Sequence, residues 1–207
     1  MKLGLWALPA YGILLALSTL THQPSIDDFD AYARYVTTDT FLLSHLGASI
    51  LGAALAILGT AAATTYLRSK LPFVLTVVAN VFLAATFGSA AFVQPGLGRA
   101  HLAGVPGMPA LNDDTAYGPA LFATALSASF LLIVAATALG TAIARTSRSL
   151  RAPGLAYGVL LSLFVVSGFA FSAVQAYLGF AFALATAVLA IRLPRTTSSP
   201  GPVLTTV

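Results

Sequence analysis

The 207-residue chain has no cysteine and no glutamate, and only 8% of its residues are charged. Each absence closes a class of chemistry. Without cysteine there are no disulfides, no thiolate metal ligands and no thiol nucleophile. Without glutamate every carboxylate is one of six aspartates, so a general base has to come from these or from His22, His45 and His101. Soluble domains carry roughly 25% charged residues. The scarcity of charge here, with 58% hydrophobic residues and a mean hydropathy of +0.91, identifies an all-α integral membrane protein. Phosphate-binding loops, nucleophile elbows and dinucleotide fingerprints are also missing, since Gly96-Leu97-Gly98 lacks both the third glycine and a preceding strand.

The few charges present are sorted along the chain. Asp27, Asp28, Asp30 and Asp39 share one segment and Asp113 and Asp114 another, while Lys2, Arg68, Lys70, Arg145, Arg148, Arg151, Arg192 and Arg195 lie in the alternate gaps between apolar stretches. Only Arg34 and Arg99 break the pattern. Short cytoplasmic loops retain Lys and Arg, so both termini are expected in the cytoplasm and the acids outside. Basic residues spread over separate turns orient helices and form no continuous stripe, which argues against nucleic-acid binding despite the net charge of +4. Alanine richness and the preference for Arg over Lys suggest a GC-rich bacterial genome and hence the cell membrane.

Six spans are expected within residues 1–195, in a single transmembrane domain. The first covers about 3–20, with Pro9 as a kink. It is read as a retained helix, because its apolar core exceeds the h-region of a signal peptide and no A-x-A cleavage site follows. The second runs over 41–67, and the turn Arg68-Ser69-Lys70 is short enough to set the third, 72–94, antiparallel beside it. The fourth covers 119–144. A single helix from Pro153 to Ile191 would be about 58 Å long, nearly twice a bilayer core, so a turn near Gln175 divides it into a fifth span and a short sixth. Outer loops are expected at 21–40 and 95–118, and a disordered cytoplasmic tail at 196–207.

At a constant offset of 81 residues, Leu58-Gly59-Thr60-Ala61 matches Leu139-Gly140-Thr141-Ala142, Pro72 matches Pro153, and Gln94 matches Gln175. This suggests that spans two and three and spans four and five are parallel repeats about an axis near the membrane normal. Ala48, Gly52, Ala56 and Thr60 form a small-residue stripe, so span two is expected at the centre of the bundle or against a homo-oligomeric or membrane-complex partner. Gln94 and Gln175 read as C-terminal caps, and Asn112-Asp113-Asp114-Thr115 as a possible cap for span four.

Ser25-Ile26-Asp27-Asp28 has N-cap spacing, and Ile26, Phe29, Ala33 and Val36 recur at helical intervals, so a short amphipathic helix is expected on the outer membrane surface. The Asp27–Asp30 cluster lacks the spacing of a prenyl-diphosphate magnesium motif. The three histidines fall on the outer side without metal-ligand spacing, and no metal site is expected. His45 stands out, because an ionisable group within a span needs a partner or a cavity. Asp39, His101, Asp113 and Asp114 are its candidate companions at an outer polar site. Asn80, at mid-depth in span three, is expected to bond across the bundle. Two functions follow from this reading. One is a non-enzymatic binding, small transport or accessory subunit; the other is an intramembrane enzyme or electron-transfer protein acting on a lipophilic substrate at the outer leaflet. No cofactor is specified. Convergence of His45 with an aspartate beside a cavity separates the two.

Overall fold

A computed structural model describes residues 2–21 and 23–196, without the side chains of Ala48 and Thr196. His22 and the expected tail beyond Thr196 lie outside the described residues. All regular structure among these residues is helical: α1 (Ala7–Ser18, preceded by a 3-10 turn, Lys2–Trp6), α2 (Phe29–Val36), α3 (Asp39–Leu43), α4 (Gly52–Thr64), α5 (Leu71–Leu102), α6 (Met108–Thr115), α7 (Pro119–Ala144), α8 (Arg151–Ala170) and α9 (Gln175–Thr196). A π-helical stretch, Ser44–Leu51, joins α3 to α4 into one rod. Among the described residues five rods are long and apolar enough to cross a membrane. The chain is thus built as a multi-pass membrane protein. The short apolar rod is the first, Lys2–Ser18, rather than the expected sixth. The chain turns at Phe171 (φ −146°, ψ 61°), before Gln175, and this leaves α9 its full length.

The long helices close a ring. α1 packs on α4, α4 on α5, α5 on α7, α7 on α8, α8 on α9, and α9 back on α1. Lipid supplies no hydrophobic force between helices, so such contacts depend on close approach at small residues. An added Cβ at Gly12 would stand 2.8 Å from the Ala183 backbone, and one at Gly179 would stand 2.7 Å from Ala16 N, so reciprocal small-x-x-x-small pairs lock α1 to α9. Gly140, Gly154 and Gly158 bring α7 and α8 together in the same way. The stripe on α4 is occupied within the chain: Gly52 faces the Tyr11 ring, and Ala56 and Thr60 are buried. Leu51 and Leu58 remain exposed on that rod's other side.

Two expectations at the acidic end are corrected. The third span does not stop at Gln94; α5 continues through Pro95 to Leu102, about 48 Å in all, well beyond a hydrocarbon core of about 30 Å. The predicted loop 95–118 is therefore mostly helix, with a turn through Gly104 and Gly107, both at positive φ, before α6. The amphipathic helix α2 does form, capped by Asp28 rather than Ser25, but its apolar face lies on α5 instead of the membrane surface. Tyr32, Ala33 and Val36 are fully buried, and Gly98 of α5 lies directly under Val36 and Ala33. An interior proline costs a helix about 3 kcal/mol. Burial of Val36 alone returns roughly 1.5–3 kcal/mol, and buried Tyr32 and Ala33 add to it, so the packing of α2 outweighs the helix-breaking signal.

Candidate functional site

The lower half of the ring is filled. Leu5, Leu8, Leu139, Ile143, Leu150, Leu161, Leu189 and Leu193 belong to one buried cluster toward the basic end. Toward the acidic end the helices enclose a cavity of about 530 Å³, within the range of small-molecule sites. Its wall draws on most of the ring: Tyr11 and Leu15 from α1, His45 and Ser49 from the π-helical stretch that leads into α4, Leu83 and Phe87 from α5, Ser129 and Leu132 from α7, Phe164 and Gly168 from α8, and Gln175 from α9. The lining runs from fully buried Tyr11 to exposed Gln23 and Phe169.

Among the described residues His45 is the only ionisable residue lining the cavity besides Tyr11. Its Nδ1 donates to Phe41 O at 2.8 Å, so in the neutral ring the proton sits on Nδ1. Nε2 is then left as an acceptor. The ring is held between Phe41, at a centroid separation of 4.0 Å, and Phe87, at 5.8 Å. The π-helical geometry widens the turn that carries it, a distortion frequent at functional sites. Tyr11 is 1% exposed and packs edge-on against Phe182, while its hydroxyl has no hydrogen-bond partner. A buried hydroxyl left unpaired is costly, and this one is sealed inside the packing, so what the cavity itself offers is one imidazole among mostly apolar walls. Gln175 donates to Phe164 O at 3.1 Å, capping the end of α8, and its amide rests against Gly168. Gln94 has no such role; it is buried within continuous α5 with Oε1 unpartnered.

The remaining candidates are not gathered around His45. Asp39 lies over a separate depression with Arg99. His101 bonds Asp30 at 2.5 Å and stacks edge-on against Phe29, pinning the end of α5 to α2. This contact holds the Asp30 carboxyl below the usual carboxylate range. Asp113 and Asp114 are exposed on α6, and α7 starts instead at Gly118, where a Cβ would lie 2.4 Å from Asp114 O. Buried Asn112 is the residue of that helix that turns inward, accepting from the Tyr32 hydroxyl at 3.3 Å. Asn80 bonds Thr76 O at 2.8 Å on its own helix, with Oδ1 unpartnered, rather than bonding across the bundle. Among the described residues no three His or Asp side chains stand together as a metal site. Sequence reading missed Tyr11, Ser49 and Gln175 as cavity residues, because nothing local marks residues from distant helices that converge. No family model, curated protein or solved structure matches the chain.

Proposed function

We propose that the chain is a six-span cell-membrane protein with both termini cytoplasmic, and that it binds a lipophilic small molecule in the cavity at its outer end. The observation that carries this reading is the cavity itself. It is walled by α1, α5, α7, α8, α9 and the π-helical stretch, closed below by packed leucines, and furnished with the His45 imidazole among mostly apolar side chains. Such a lining suits a mostly apolar ligand anchored at its polar end on His45. Binding, or carriage in a small transport or accessory role, fits better than catalysis, because no carboxylate lines the cavity to activate His45.

The test is extraction of the full-length protein in mild detergent, with co-purifying small molecules identified by mass spectrometry. The wild type is expected to retain a lipophilic compound that His45→Phe and the cavity-filling Ser129→Trp each lose by tenfold or more, while both variants stay monodisperse. Equal retention by wild type and both folded variants would sink the reading. A fall in turnover rather than retention on a candidate substrate would favour the enzymatic alternative.

A further inference from the structure

At the basic end, α7 and α8 meet backbone to backbone. A Cβ added at Gly140 would lie 2.6 Å from Gly154 O, and one at Gly154 would lie 2.7 Å from Ala144 N. Because no side chain fills this seam, its outer face is a groove of about 360 Å³, lined by glycine, Leu155, Val159 and Leu163. Thr141 and Leu155 also line a second depression of about 560 Å³, whose rim carries Arg145, Arg148 and Arg151. One furrow thus runs from three guanidinium groups into the membrane-spanning seam.

Among the described residues no carboxylate pairs with these arginines. All six aspartates lie in the segments 27–39 and 113–114, and the one ion pair among the described residues joins His101 to Asp30 at the opposite end. Three exposed arginines therefore face the same depression uncompensated. Guanidinium forks suit phosphate oxygens, and basic pockets between spans at this depth match anionic headgroups. The groove supplies what a soluble anion does not need, namely an apolar track continuous with the charged rim.

We propose that this furrow binds an anionic phospholipid, with its phosphate on Arg145, Arg148 and Arg151 and one acyl chain along the α7–α8 seam. The site is separate from the central cavity, whose walls at α7 and α8 are other residues. The full-length protein in phosphatidylcholine nanodiscs is titrated with phosphatidylglycerol, with thermal stability and lipid retention in native mass spectrometry as readouts. Phosphatidylglycerol is expected to raise the melting temperature and remain bound. The triple variant R145Q/R148Q/R151Q should weaken retention by tenfold or more, and Val159→Trp, which fills the groove without altering charge, should weaken it as well. The control R68Q/K70Q should bind as wild type does. Equal retention by wild type and the triple variant overturns the proposal, as does equal loss in the control, which would mean diffuse attraction. An equal rise in stability with glycerol phosphate or inorganic phosphate also overturns it, by assigning the arginines to a soluble anion.

Discussion

Asn80 shows how a single buried polar group can be met within its own helix. Its amide N–H is used by Thr76 O, but its carbonyl is buried without a partner, and an unpaired buried acceptor costs roughly 1–3 kcal/mol. Asn80→Leu is therefore expected to be neutral or stabilising in detergent melts, and Asn80→Asp, a carboxylate with no basic neighbour bonded to it, strongly destabilising. Equal tolerance of the two would reveal water around the site. Asp30 behaves oppositely, because it is exposed and paired. The His101 contact depresses its folded pKa, so the stability it contributes is present above the unfolded value of about 3.9 and is lost as pH falls through the folded value. In melts taken from pH 6 downward, Asp30→Asn should flatten the acid-side loss relative to wild type. An unchanged acid profile would show that the α2–α5 contact does not depend on this pair.

At the scale of elements, glycine positions separate sharply by what lies over them. Gly12 and Gly179 sit against the backbone of a neighbouring helix, whereas Gly88 has nothing within 4 Å of an added Cβ. Gly12→Ala and Gly179→Ala are each expected to destabilise by about 1–3 kcal/mol through forced separation of α1 and α9. Gly88→Ala should be neutral or gain up to about 1 kcal/mol from helix propensity. Differential scanning fluorimetry in one detergent distinguishes these outcomes, and equal effects at all three positions would show that close backbone approach does not hold α1 to α9. The proposed duplication belongs to this scale too. The two hairpins differ at their acidic ends, since α5 runs through Pro95 while α8 breaks at Phe171.

At the scale of the whole molecule, the ring places Asp27, Asp28, Asp30, Asp113 and Asp114 beyond one end, and Arg68, Lys70, Arg145, Arg148 and Arg151 beyond the other. By the positive-inside rule a cysteine placed at Val105, between α5 and α6, should be labelled by an impermeant maleimide in intact cells. One at Ser149 should react only after lysis. Reversed accessibility would invert the topology and put the cavity mouth in the cytoplasm.

What the sequence determined by itself was the membrane class and the order of apolar helices, because hydrocarbon admits long uncharged helices and little else, and that requirement is met residue by residue along the chain. Charge sorting likewise needed no contacts to be read. It was tertiary structure that decided the length of α5, since the burial of Tyr32 and Val36 on its end overrides a local proline signal. The site was decided at the same level. His45 was legible as a polar group in an apolar span, but Tyr11 and Gln175 became its companions only when α1 and α9 closed the ring, 34 and 130 residues away along the chain. Asp39, Asp113 and Asp114 share its side of the charge pattern, yet helix packing turns them to other surfaces, because a pattern along the chain fixes which end a residue occupies and not which way it faces.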